Sequence, residues 1–254
     1  VSPFAALHGL RLGCVKYLNS KPLIHACDTP VIFEHPAKLA DDLRDGLLEV
    51  GLIPVFEALR IPNLAAVDGV AIACRGPVYS VLLAYRGPLE SHQVVSLDPA
   101  SRTSVHLAQV LLVEFYGMKP RYETGIEAEA RVLIGTQAID FRAEHGATWN
   151  YLDFGAAWLE HTGLPFVFAL WMLRADLPEL AQVADAFREL KQRGLAAIPE
   201  ISAHEPDPEF ATRYLTEFIK FDLGPDEKRG LELFRQLLEK HGFLPEGGYR
   251  LRFV

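Results

Sequence analysis

The sequence predicts an α/β protein built on parallel βαβ units, and three observations carry that prediction. Strand-like and helix-like segments alternate through the first two thirds of the 254 residues. The last third reads as amphipathic helices instead. Half of the residues are apolar and 23% are charged, a globular composition large enough for one sizeable core or two modest ones.

Leu12 to Val15 reads as a short buried strand that runs into Lys16-Tyr17-Leu18-Asn19-Ser20, and Pro22 fits the first turn of a helix over Leu23 to Ala26. Val31 to Phe33 is a second strand. A helix over Ala37 to Asp45 follows, with Leu39 and Leu43 four residues apart and Gly46 near its end. Val50 to Ile53 is a third strand, and Pro54 opens a helical turn through Leu59. Val70 to Ala73 and Val78 to Tyr85 read as strands split by Gly76-Pro77, and Val94 to Leu97 as another. The loop Asp98-Pro99-Ala100-Ser101 then leads into a helix from Arg102 to Tyr116 that is apolar nearly all round, as a central core helix would be. Further on come strands at Arg131 to Ile134 and Tyr151 to Phe154, a short helix at Ala156 to His161, and a long apolar strand at Phe166 to Leu173. Helices are predicted over Pro178 to Arg193, Glu209 to Ile219 and Asp226 to His241. No linker marks a boundary, which fits one domain or two lobes joined by crossing strands. Val78–Tyr85 and Phe166–Leu173 are the candidates for such crossings.

Charge and composition narrow the function. The net charge is −8, and no block of Lys or Arg offers the basic face that nucleic acid or an anionic membrane requires. No apolar run reaches the roughly 18 residues of a bilayer span. Cys14, Cys27 and Cys74 lack metal-ligand spacing and read as free thiols of a reducing compartment. The N-terminal VSPFAALHGL has no charged region followed by a long apolar stretch, so a cytoplasmic location is expected. No nucleotide-binding, zinc-protease or serine-hydrolase motif is present, and no cofactor or metal is expected.

The residues suited to chemistry are polar ones at strand ends. Ser101, Arg102, Thr103 and Ser104 open a strong helix, whose N-terminus carries unpaired N–H groups and partial positive charge suited to a carboxylate or phosphate. A cap alone needs one such residue, and this run has four. Asn19 and Ser20 lie just past the first strand, on the side where open α/β sheets bind ligands, although Ser20 alone reads equally as a cap. Ser80 follows the Gly76-Pro77 break, which is either a bulge or a device that sets Ser80 at a cleft. Gly135-Thr136 ends a strand, and a glycine there permits close backbone approach or simply a turn.

Five motifs in order resemble one family. They are Gly13-Cys-Val-Lys-Tyr-Leu-Asn-Ser-Lys-Pro-Leu23, Val50-Gly-Leu-Ile-Pro-Val55, Gly76-Pro-Val-Tyr-Ser-Val81, Asp98-Pro-Ala-Ser-Arg-Thr-Ser104, and the stretch from Asp153-Phe-Gly-Ala-Ala-Trp158 to Thr162-Gly-Leu-Pro-Phe-Val-Phe168. Together they are similar to chorismate dehydratases of the futalosine route to menaquinone. The resemblance implies a periplasmic-binding-protein-like fold of type II, with two α/β lobes around a central ligand cleft. Lobe I would comprise residues 1–84 and 170–254, and lobe II residues 85–169. It also implies a lyase that removes water from chorismate, a small dianionic carboxylate, in a monomer or weak homodimer.

On that resemblance Asn19 and Ser80 act at the reacting centre, and Tyr17, Ser20, Ser101, Arg102, Thr103, Ser104, Gly135 and Thr136 bind substrate. The matched motifs offer only Lys16 and Lys21 as protein bases near the cleft, so the reading makes the substrate's own enolpyruvyl carboxylate the base. One position departs: the family usually has an acid where Thr136 stands in Ile134-Gly-Thr-Gln-Ala-Ile139. Either Thr136 replaces a structural hydrogen bond or activity is altered. Two rivals share the fold: an enzyme like 1,4-dihydroxy-6-naphthoate synthase, whose N-terminal motif differs from YLNS, and a non-catalytic solute-binding protein for a small carboxylate.

Overall fold

The computed structural model describes residues 4–98 and 101–254. Pro99 and Ala100, in the expected loop before Ser101, lie outside the described residues.

The chain starts in a mixed sheet. Strand β1 (Leu12–Cys14) pairs in parallel with β2 (Val31–Phe33) and β3 (Val50–Pro54). Helices α1 (Pro36–Arg44) and α2 (Val55–Ala58) flank β3, and β4 (Leu64–Cys74) follows. The segment Leu64–Gly69, not expected as strand, joins β4 because Asp68-Gly69 is absorbed in an irregularity of the pairing between Ala66 and Ala71 and not in a turn.

After β4 the chain leaves for a second sheet: β5 (Val81–Tyr85), β6 (Val94–Leu97), α3 (Thr103–Glu114), β7 (Arg121–Thr124), β8 (Ala130–Ile134), α4 (Gly135–His145) and β9 (Asn150–Asp153). Helix α5 (Phe154–Thr162) leads back, and β10 (Phe166–Arg174) rejoins the first sheet. Helices α6 (Leu180–Ala196), α7 (Ile198–Ala203), α8 (Pro208–Arg213) and α9 (Pro225–Lys240) follow, and β11 (Arg252–Phe253) closes the first sheet. The strand orders are β11-β4-β10-β3-β1-β2 and β7-β6-β8-β5-β9.

The expected parallel βαβ units are present in β1 to β3, and the sheets as wholes are mixed. β10 runs antiparallel to β3 and β4, and β5 antiparallel to β8 and β9. These are the two long apolar strands singled out as crossings. Neither itself spans two sheets; each is the first strand after the chain changes sheet. The chain changes sheets at residues 75–80 and within 154–165, so Val81–Ala84 pair in the second sheet and Phe166–Ala169 in the first. Central strands buried on both faces explain their unbroken apolar character: Val50 and Ile53 of β3 and Leu170 to Leu173 of β10 are fully inaccessible. Each such side chain contributes roughly 1.5–3 kcal/mol of burial. Leu107, Ala108, Val110, Leu111 and Leu112 of α3 are likewise fully buried, as a helix apolar on all sides requires. Among the described residues no helix is long and apolar enough to cross a membrane.

Candidate active site

A cavity lies where the two sheets face each other, enclosing about 650 Å³ with the space at its mouth included. The first sheet and its connections supply Val15, Tyr17, Asn19, Leu52, Ile72 and Phe168. The second sheet and the crossover into it supply Val78, Ser80, Val81, Ile134, Gly135 and the start of α3. The wall is largely apolar, with polar groups at a few points, as in small-molecule sites generally.

Asn19 is presented by a tight 3-10 turn, Leu18–Leu23, and not by the expected helix from Leu23 to Ala26. The turn starts early because Ser20 folds the chain back on itself. Its Oγ donates toward Val15 O at 2.7 Å and Tyr17 O at 2.8 Å. Ser20 therefore shapes the turn, and its buried hydroxyl faces away from the cavity. Gly194 of α6 permits this packing, since a Cβ there would sit 1.6 Å from Pro22 O.

Ser80 owes its place to the crossover. Gly76 and Tyr79 both take positive φ, +111° and +67°. Asp153 holds the segment: Oδ1 accepts from Val78 N at 3.0 Å and Oδ2 from Tyr79 N at 2.7 Å. The same Oδ1 accepts from Ala156 N at 3.0 Å and so caps α5. One carboxylate thus ties the outward crossover to the start of the return. Gly155 completes the joint, because a Cβ there would lie 2.4 Å from Gly76 O. Ser80 O then accepts from Gly135 N at 2.7 Å. Gly135 itself has φ +57°, and a Cβ on it would press the Tyr17 ring at 3.1 Å, so its lack of a side chain leaves room for Tyr17.

Ser101, Thr103 and Ser104 are buried and line the cavity with Arg102. Among the described residues no side chain caps α3, whose N-cap is Arg102, and a helix start of this kind leaves its leading N–H groups without intrahelical partners. Thr103 Oγ1 accepts from Phe56 N at 3.1 Å, joining the helix to α2 of the first sheet. Arg102 Nη1 lies 3.8 Å from the buried Glu57 carboxylate, and its Nε finds no partner among the described residues. Thr136 is exposed on the first turn of α4 and does not line the cavity. Neither lysine lines it either: Lys21 pairs with Glu205, and Lys16 is exposed with its ammonium 5.8 Å from the centre of the Phe33 ring.

Sequence reasoning missed Tyr214. It opens a π-helical turn, Tyr214–Phe218, where a plain helix was expected. Its hydroxyl lies 2.7 Å from Ser80 Oγ and 3.4 Å from Asn19 Nδ2. Burial pushes the phenol up to about 12. Nothing local in the sequence marks this tyrosine; only the fold brings it to Ser80. Asp153 carried a signal, as part of the Asp153–Trp158 motif, but no role followed from it.

Comparison with known proteins places this geometry. A chorismate dehydratase of Thermus thermophilus is 30% identical over 257 residues, spanning 89% of this chain and 94% of that protein. One from Campylobacter jejuni is 27% identical over 224 residues, spanning 86% and 88%. Among solved structures, a protein of Archaeoglobus fulgidus superposes with a TM-score of 0.74 at 16% identity, covering 92% of this chain and 98% of that one. A Candida albicans protein described as having the generic periplasmic binding protein fold gives 0.62 at 11% identity, covering 93% and 91%. The fold is therefore periplasmic-binding-protein-like. A family model described as menaquinone biosynthesis matches residues 10–240. The chain belongs to this menaquinone-biosynthesis family.

Proposed function

We propose that this chain is a chorismate dehydratase, a hydro-lyase that converts chorismate to 3-(1-carboxyvinyloxy)benzoate and water. The observation that carries the reading is the meeting of Asn19, Ser80 and the start of α3 on one cavity, in a chain similar over 89% of its length to a chorismate dehydratase.

The chemistry follows from the substrate. The ring proton beside the ether oxygen is lost, the neighbouring hydroxyl departs as water, and aromatisation drives the step. The breaking C–H bond is conjugated with the ring carboxylate, so negative charge grows there. Fixed donors that strengthen as charge develops lower the barrier. The N–H groups of α3 and the side chains of Ser101, Arg102, Thr103 and Ser104 fill that role. The protein is acidic overall, so the positive field on the anion is local. Leu52, Ile72, Val81 and Phe168 pack the ring. Tyr17 and Gly135 bound the cavity beside Ser80. Ser20 serves through the turn that carries Asn19.

The base is the enolpyruvyl carboxylate of the substrate. It takes the ring proton and hands it to the departing hydroxyl, which leaves as water with the carboxylate regenerated, and the protein holds it in reach, making proton transfer an intramolecular step. Lys21 is engaged by Glu205, which supports a base outside the protein. The three free thiols support a cytoplasmic location, and the proposed active unit is a single chain.

The test is turnover. Purified chain incubated with chorismate is expected to deplete it and to form a product lighter by one water, identified by mass. Chorismate left intact would overturn the reading. An ester of the enolpyruvyl carboxylate that reacted at full rate would overturn the base assignment alone.

A further inference from the structure

We infer that Tyr214 orders the protons of the site, fixing Ser80 as a donor and Asn19 as an acceptor toward the hydroxyl that leaves the substrate. The inference rests on the proposed dehydration and adds a positioning residue to it.

The protons available to the three side chains fix their orientation. Asn19 Nδ2 can only donate, so at 3.4 Å it donates to the phenol oxygen. The phenol has one proton of its own. Its other close partner is Ser80 Oγ at 2.7 Å, which therefore accepts it. Burial keeps that proton on the phenol at neutral pH. Ser80 Oγ, already accepting, has its own proton left for the cavity that it lines. Asn19 Oδ1 is buried and has no partner among the described residues, so it is an acceptor awaiting one.

One donor and one acceptor side by side match a secondary alcohol. Its O–H donates to Asn19 Oδ1, and its oxygen accepts from Ser80 Oγ. As the C–O bond lengthens, negative charge collects on that oxygen, and the Ser80 donor strengthens with it. Tyr214 gives up no proton and touches no substrate. It acts by denying Ser80 the opposite orientation. Its ring is held in place: Tyr214 is 1% exposed, and Phe210 stacks on it with centroids 5.8 Å apart.

The test uses the full chain and four enzymes: wild type, Tyr214→Phe, Ser80→Ala and the double variant. Tyr214→Phe is expected to lower kcat roughly 10- to 100-fold while KM for chorismate moves less than about threefold. In the Ser80→Ala background the same exchange is expected to cost less than about threefold, because the phenol acts through Ser80. Site-specific 3,5-difluorotyrosine at position 214, a more acidic phenol, is expected to bring the alkaline limb of kcat to lower pH. A Tyr214→Phe enzyme within about threefold of wild-type kcat would overturn the inference, as would equal losses in both backgrounds or an unmoved alkaline limb. Should Tyr214→Phe fail to fold, the difluorotyrosine enzyme decides alone. Wild type without turnover overturns the functional reading and this inference with it. An active wild type with an equally active Tyr214→Phe overturns this inference only.

Discussion

Replacing Asp153 with alanine removes the one carboxylate that ties the two connections between the sheets. Three backbone donors lose their acceptor: Val78 N, Tyr79 N and Ala156 N, at 3.0, 2.7 and 3.0 Å. The lost cap on α5 costs about 1 kcal/mol. The two charge-assisted bonds to the crossover cost roughly 1.5 kcal/mol each at the low end of their range. Relaxation of the Tyr79 backbone, at φ +67°, returns about 1 kcal/mol. The net is a destabilisation of roughly 3 kcal/mol, or about 6–12 °C in Tm for a chain of this size. Asp153→Asn keeps one acceptor oxygen and is expected to lose about half as much. Urea unfolding followed by tryptophan fluorescence measures the stability, and chorismate turnover measures the site. Ser80 follows Tyr79 directly, so kcat is expected to fall in both variants, more in the alanine one. An alanine variant within 1 kcal/mol of wild type with full turnover would refute the clamp.

Gly135→Ala places a side chain at φ +57° against the Tyr17 ring, so a loss of about 1–2 kcal/mol is expected with a raised KM; unchanged kinetics would show that Tyr17 does not bound the substrate. Gly194→Ala drives a Cβ into Pro22 O, and roughly 1–3 kcal/mol of strain should displace the turn bearing Asn19. Its unfolding midpoint and kcat are expected to drop together, and a drop in neither would contradict that packing. His106 stacks on Phe56 at 3.6 Å and donates from Nδ1 to Arg102 O at 2.7 Å, while burial lowers its pKa. The unfolded chain therefore takes up a proton near pH 6.5 that the folded chain refuses until lower pH. This histidine accordingly costs stability as pH falls from about 6.5 through its folded pKa. His106→Phe should be less acid-sensitive between pH 7 and 5 in urea titrations, and parallel pH slopes for the two proteins would exclude the effect.

Much of the architecture is legible because the central strands are apolar on both faces and the core helix is apolar nearly all round. The runs at Val50–Pro54 and Phe166–Arg174 read as interior and are almost wholly so, and Thr103–Glu114 buries Leu107, Ala108 and Val110 to Leu112. Strand direction was not legible. Whether β10 pairs parallel or antiparallel depends on which strands flank it, not on its own residues. The edge strand Arg121–Thr124 was missed because Arg-Tyr-Glu-Thr lacks an apolar run. Helix α4 was missed because it begins at a glycine that reads as a stop and buries only Gly135 and Ala138. At the site, polar residues after strand ends led to Asn19, Ser80 and the Ser101–Ser104 run. The same rule overreached for Ser20, whose hydroxyl turns back to its own backbone, and for Thr136, which faces solvent. Tyr214 lies 134 positions from Ser80 in sequence, and no periodicity reports such a contact.

The central claim is that the cavity between the two sheets is where chorismate loses water. Turnover by Asn19→Ala and Ser80→Ala, each checked for an unfolding midpoint close to wild type, tests it most directly. A loss of roughly 10-fold or more in kcat is expected for each variant. Folded variants that both dehydrate chorismate at the wild-type rate would contradict it.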